Sequence, residues 1–155
     1  MLHSIIIPYN PSNLLHNNIF FRVSRLLPAA EPRGFRRIEK EFHYEEYFQF
    51  LLLDGDRIIG ESVINEFTDE GKSANFRIAI FSADHCGKGL GSWMTGKTCT
   101  FAFDVLKLEK IMLDVFAFNP RAIRTYEKAG FVKTGYIEDD DLILMELTKE
   151  NFIRQ

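Results

Sequence analysis

The chain has 155 residues, which suits one domain with a real core and leaves no room for two. With 46% hydrophobic and 26% charged residues it has the composition of a soluble globular protein. Its formal charge of −3 argues against bulk nucleic-acid binding, which needs a basic face. Cys86 and Cys99 cannot build a disulfide framework and match no zinc spacing, so we expect reduced thiols, a cytoplasmic setting and no metal. Met1 to Ile7 lacks a basic leader and is cut short at Pro8, so no signal peptide is expected. No apolar run approaches the ~18 residues that cross a bilayer, so no membrane partner is expected either.

Residues 1–18, rich in Pro, Asn and Ser after Ile7, read as an irregular lead-in. Ile19 to Leu26 suggests a strand, and Pro28 to Phe42 a helix interrupted around Pro32 and Gly34. Tyr47 to Leu53 and Arg57 to Phe67 flank Asp54-Gly55, a strong hairpin signal. After the polar turn Thr68 to Ser73, Asn75 to Phe81 completes an antiparallel meander. Ala83 to Gly91 is a glycine-rich loop, and Ser92 to Leu106 has helical apolar spacing. Lys110 to Phe116 reads as a central strand. Asn119 to Ala129 is a well-punctuated helix, with Asn119 as N-cap, Pro120 at its first position and Gly130 past its end. Phe131 to Ile137 and Leu142 to Leu147 close the chain as a hairpin around Asp139 to Asp141. The order implies a mixed α/β (α+β) sheet with helices on its faces, in a single domain over residues 1–155.

Gly87-Lys88-Gly89-Leu90-Gly91 lies between a strand and a helix. Glycines there let several N–H groups converge, and the helix N-terminus and Lys88 add positive charge, so a pyrophosphate would suit the site. Gly91 to Thr98 (GSWMTGKT) also matches the P-loop pattern G-x-x-x-x-G-K-[ST]. Its context is wrong, because the first glycine should follow a strand directly and the motif here is embedded in helix. Gly96 is better explained by close helix–sheet packing. On the next helix, Asn119 and Tyr126 are two turns apart with the small Ala122 between them, so an amide and a phenol face one cleft.

These segments resemble the GCN5-related N-acetyltransferases (GNAT), small prokaryotic type. The specific part is Asn119-Pro120-Arg121-Ala122-Ile123-Arg124-Thr125-Tyr126-Glu127-Lys128-Ala129-Gly130-Phe131, an N-P-x-A-x-x-x-Y-E-K-x-G-F segment. The resemblance is strongest from Phe76 to Gly135. It implies the family's fold, a mostly antiparallel central sheet flanked by helices, and acetyl-CoA as donor. By position, the amides of Gly87, Lys88, Gly89, Leu90, Gly91 and Ser92 would bind the pyrophosphate. The backbone of Ile80 and Phe81 would pair with the pantetheine arm, Asn119 would hydrogen-bond it or a water, and Tyr126 would sit beside the sulfur. One departure stands out: Cys86 occupies a place where the family has Gln or Arg, and His85 or Lys88 could compensate.

Acetyl transfer to an amine needs a base for the amine, donors for the oxyanion and a proton for the thiolate. Tyr126 suits the last role, with an ordinary pKa near 10. A main-chain N–H at Ile80 or Phe81 suits the oxyanion. Asp114 and Glu61 are the two candidate bases, either acting through water. Glu41, Glu45, Glu46 and Asp139 to Asp141 read first as solvated surface charge; the alternative is a set of acidic rims that concentrate a cationic amine. Phe76, Phe81, Phe116, Phe118 and Phe131 would wall a dry cleft. The expected acceptor is a primary amine, whether a small amine, a polyamine or a protein N-terminus, and the assembly a possible homodimer. The alternatives are a P-loop nucleotide hydrolase and a catalytically idle acyl-CoA-binding module.

Overall fold

The computed structural model describes residues 6–8, 19–26, 47–81 and 83–153. Its described strands form one eight-stranded sheet in the order β1-β2-β3-β4-β5-β6-β8-β7. These are β1 (Ile6–Pro8), β2 (Ile19–Leu26), β3 (Tyr47–Asp54), β4 (Arg57–Thr68), β5 (Ser73–Ile80), β6 (Lys110–Phe116), β7 (Val132–Ile137) and β8 (Leu142–Thr148). Two α-helices, α1 (Leu90–Asp104) and α2 (Pro120–Ala129), connect β5 to β6 and β6 to β7. All neighbouring strands run antiparallel except β5 and β6. The mostly antiparallel sheet with flanking helices is therefore as expected.

The differences are local. The lead-in contains a strand: β1 pairs with Phe20 to Arg22 of β2. It is an outermost strand of the described sheet, the kind of strand in which proline is found. β5 starts at Ser73, two residues before the expected Asn75, and ends at Ile80 rather than Phe81. α1 starts at Leu90, so the whole GSWMTGKT segment except Gly91's own neighbourhood lies well inside helix. The helix expected over 28–42, and Glu41, Glu45 and Glu46, lie outside the described residues.

One face of the sheet carries the core. Phe48, Phe50 and Leu52 of β3 stand beside Ile64, Ser62 and Gly60 of β4, and these beside Phe76, Ile78 and Ile80 of β5. α1 covers this face: Phe101 meets Phe48 and Phe50 at ring distances of 5.7 and 5.2 Å. Alternation puts Gln49, Glu61 and Arg77 on the opposite face. In β6, Ile111, Leu113 and Val115 are buried and Asp114 is exposed, which places Asp114 on that same opposite face. α2 presents Ile123, Tyr126 and Ala129 inward. Phe76 and Phe131 belong to this core, packed on each other and on Tyr126. Phe81, Phe116 and Phe118 are instead exposed, the last at 72%. The proposed phenylalanine-walled cleft is thus corrected: two of its five members are core, and three lie on the surface.

Candidate active site

The parallel strands β5 and β6 meet over only three residue pairs, from Ser73–Lys110 to Asn75–Met112. Beyond that point five residues of β5 have no partner in β6, and the sheet opens. The antiparallel ladder to β4 decides which backbone groups face the opening. Phe81 N–H donates to the Ile59 carbonyl at 2.9 Å, so residues 81 and 59 form a hydrogen-bonded pair. Bonded and non-bonded pairs alternate along such a ladder. The N–H and C=O of Ile80 and of Ile78, opposite Gly60 and Ser62, therefore point away from β4 toward the opening. The N–H of Phe81 is committed to Ile59, so along this strand edge it is Ile78 and Ile80 that present theirs to the opening.

A cleft of about 440 Å³ occupies the opening, bounded on one side by β5 and the glycine loop and on the other by α2. Ile80, Gly87, Gly89, Gly91, Ser92, Asn119 and Tyr126 line it, together with Ile78, His85 and Cys86. Lys88, Leu90 and Phe81 do not. Leu90 is buried and anchors the start of α1 in the core. Gly87 and Gly89 have φ of 78° and 80°, the left-handed region in which a Cβ is strained. Gly89 is the N-cap of α1 and carries no capping side chain, and no acidic residue stands in the first turn. The first N–H groups of α1 are thus free of side-chain caps at one wall of the cleft, where partial positive charge accumulates. A Cβ built on Gly91 would meet nothing within 4 Å. The wall is therefore open where an anion would approach.

Facing this wall, Asn119 caps α2 by accepting from the Ala122 N–H at 3.1 Å. Its side-chain oxygen is thereby engaged, and the residue lines the cleft. Gly130, with φ of 103°, ends the helix in the left-handed conformation. Tyr126 is 7% exposed, and burial, reinforced by the negative charge of Asp114, pushes its phenol up to about 12. It stays neutral at any physiological pH and so keeps a proton to donate.

The two carboxylates do not line the cleft. Glu61 lies on the opposite face of β4, where its carboxylate accepts from Gln49 Nε2 at 2.7 Å. Asp114 lies on that face of β6, close enough for its charge to reach Tyr126. With β5 between them, strand spacing alone separates them by about 10 Å. His85 borders the glycine loop, its Nε2 3.5 Å from Asp54 Oδ2 in the β3–β4 hairpin. Its Nδ1 is buried and has no partner among the described residues. Also among the described residues, no group of three or more His, Cys, Asp or Glu could hold a metal ion. Nor is any helix there long and apolar enough to cross a membrane.

This architecture, a strand pair opening beside a glycine turn and an uncapped helix start, defines an acetyltransferase class of fold. The family model of the acetyltransferase (GNAT) domain matches residues 22–132. The chain belongs to the GNAT family. It is 31% identical over 105 residues to a spermidine N(1)-acetyltransferase of Vibrio cholerae, covering 67% of this chain and 60% of that one. It is 33% identical over 97 residues to an aminoglycoside N(6')-acetyltransferase type 1 of Klebsiella pneumoniae, covering 61% of this chain and 48% of that protein. The chain thus spans about half to three-fifths of the length of these relatives. Among solved structures, the V. cholerae spermidine N-acetyltransferase in complex with CoA and spermine superposes with a TM-score of 0.62 at 28% identity, covering 68% of this chain and 67% of that one.

Proposed function

We propose that this protein is a cytoplasmic, acetyl-CoA-dependent N-acetyltransferase that passes the acetyl group to a primary amine by direct attack in a ternary complex. The observation that carries the reading is the convergence of three features on one cleft: the uncapped start of α1, the open backbone edge of β5 and the neutral phenol of Tyr126. The amides of residues 87–92 would take the diphosphate, as helix N-termini do. The pantetheine arm would pair with Ile78 and Ile80 as an added strand, and Asn119 would donate to it through its side-chain nitrogen. Gly87 and Gly89 allow the loop to turn, and the space at Gly91 admits the phosphates.

The amine nitrogen attacks the thioester carbonyl, the carbon–sulfur bond breaks, and the thiolate leaves. Transfer of a proton from a phenol near 12 to an ordinary thiolate is about 5 kcal/mol uphill. Tyr126 therefore serves as a hydrogen-bond donor to the sulfur as charge develops. The proton shed by the attacking nitrogen, relayed through water, balances the transfer. Glu61 or Asp114 would accept the amine's first proton from the opposite face, through the gap between β5 and β6. The acceptor would be a small amine carrying several positive charges. Spermidine and aminoglycosides, the substrates in the names of the relatives, both answer that description, and the net charge of −3 favours such a cation.

Thermal shift with acetyl-CoA against magnesium-ATP, followed by thiol release across an amine panel, tests the reading. Stabilisation by acetyl-CoA with thiol release on a polyamine is the expected result. Stabilisation by ATP alone would restore the nucleotide hydrolase. Binding without release on any amine would leave an idle acyl-CoA module.

A further inference from the structure

Phe116 and Phe118 form a ring pair on the surface, with centroids 4.9 Å apart and planes 18° from parallel. Both are exposed, where β6 turns toward α2. Their backbone is fixed: the Asn119 N–H donates to the Phe116 carbonyl at 2.9 Å, and the Ala117 N–H donates to the Asp141 carbonyl at 2.8 Å. Alternation along β6 puts Phe116 on the face that carries Asp114. Counted from the last parallel pair, Asn75–Met112, Phe116 on β6 and Ala79 on β5 stand at the same depth into the opening. Ala79 pairs with Glu61 of β4. One lip of the opening is thus a ring pair, and the other is a methyl group backed by a carboxylate. Of the charged residues beside the opening on this face, Glu61 and Asp114 are acids and Arg77 is a cation. The turn after Ile137, residues 138–141, is wholly acidic.

We propose that Phe116 and Phe118 are a specificity platform for the acceptor, holding the hydrocarbon chain and far cationic group of a linear alkyl diamine or polyamine. The inference rests on the amine-acetylation reading above and narrows its acceptor. Ring faces carry negative potential, so they attract an ammonium group as well as methylenes. The acidic surround adds to that attraction and disfavours an anionic occupant. The reacting nitrogen would lie in the opening, near Tyr126 and Asp114. Phe116 is two residues, about 7 Å, further along the strand than Asp114. A chain of several methylenes spans that distance, and a very short amine does not. A ring pair on a fixed backbone also loses little freedom on binding. A polyhydroxylated amine gains less, because its hydroxyl groups give up water against an apolar face. Composition alone suggests a buried wall for these rings; their exposure beside the opening gives them a different task.

The test is thiol release at saturating acetyl-CoA with linear diamines from ethylenediamine to octamethylenediamine, on the whole chain, F118A and F116A/F118A. The ratio of kcat/KM between unaltered and variant protein cancels each amine's own basicity. For F116A/F118A it should grow from about one with ethylenediamine to about tenfold with octamethylenediamine. F118A should show a smaller gradient of the same form. The change should lie in KM, with kcat and acetyl-CoA affinity within about twofold of the unaltered protein. F118W keeps an aromatic face and should keep the chain-length preference. V132A removes an exposed apolar side chain of the same sheet at its closed end, opposite Glu146, and should change nothing. A loss equal at every chain length, or a V132A effect of the same size, would overturn the platform. So would a fall in molecular mass by light scattering in F116A/F118A, which would make the ring pair a contact between copies of the chain. If the unaltered protein bound acetyl-CoA but released thiol with no amine, the acetyltransferase reading itself would fall, and the platform with it.

Discussion

Ser62 Oγ lies 2.7 Å from Thr98 Oγ1, and both side chains are fully buried between β4 and α1. Thr98 is the last residue of the GKT triplet that imitates a P-loop. In a P-loop that hydroxyl would face a magnesium ion; here it is the buried tie between a helix and the sheet. Thr98→Val should leave the Ser62 hydroxyl without its partner and cost about 1–3 kcal/mol in urea unfolding. Adding Ser62→Ala should cost less than the sum of the two single changes, because it removes the orphaned group. Neither variant should alter the response to magnesium-ATP, which is expected to be nil.

Tyr126 and Asp114 are coupled across the opening of the sheet, and alkaline pH exposes the coupling. The phenol titrates at about 12 in the folded chain against an ordinary 10. The unfolded chain therefore loses this proton first. The associated stability is complete below about pH 10 and disappears as pH rises to about 12, a loss of about 3 kcal/mol. Urea midpoints measured across that range should fall less steeply in Tyr126→Phe. Asp114→Asn should lie between the two, since removing the carboxylate charge lowers the phenol while burial, the larger cause, persists. The same Tyr126→Phe variant should retain acetyl-CoA binding and lose about a hundredfold in turnover.

Two glycines should separate folding from binding. At Gly130 a Cβ would fall on the carbonyl oxygen of Asn151, and φ is 103°. Gly130→Ala should cost several kcal/mol or abolish folding, read as a loss of soluble protein or of the thermal transition. Gly91 is helical and its missing Cβ leaves open space. Gly91→Ala should raise the melting temperature slightly, because alanine is the better helix former by up to about 1 kcal/mol. It should at the same time weaken acetyl-CoA binding, since the new methyl enters the space at the wall of the cleft.

Much of this was legible from residues alone where the signal is local. Asn119, Pro120 and Gly130 mark both ends of α2 by backbone chemistry, and the seven-residue spacing places Asn119 and Tyr126 on one face. The glycine loop declares itself by composition. What escaped depends on pairing between distant segments. Alternation puts Ile78 and Ile80 on one face but does not say that β6 turns away after Met112, which is what frees their backbone groups. Nor does it say that the N–H of Phe81 is committed to Ile59. The phenylalanine count could not separate Phe76 and Phe131, which pack under α2, from the stacked surface pair Phe116 and Phe118, whose rings lie 4.9 Å apart.

Glu61 is the carboxylate with a built-in restraint, and this makes its role separable from that of Asp114. Gln49 donates to one of its oxygens at 2.7 Å from the neighbouring strand, which fixes the orientation of the carboxylate. If Glu61 accepts the amine's proton, Glu61→Gln should reduce turnover by about a hundredfold, and the loss should shrink as pH rises and the free amine becomes abundant. Gln49→Leu keeps the carboxylate and removes its orientation, so it should lower turnover by a smaller factor with the same dependence on pH. Asp114→Asn should then act mainly through Tyr126. A pH–rate profile in which Glu61→Gln and Gln49→Leu match the unaltered protein, while Asp114→Asn loses the pH-dependent component, would move the base to Asp114. The discriminating measurement is kcat against pH at saturating acetyl-CoA, because it isolates proton transfer from cofactor binding.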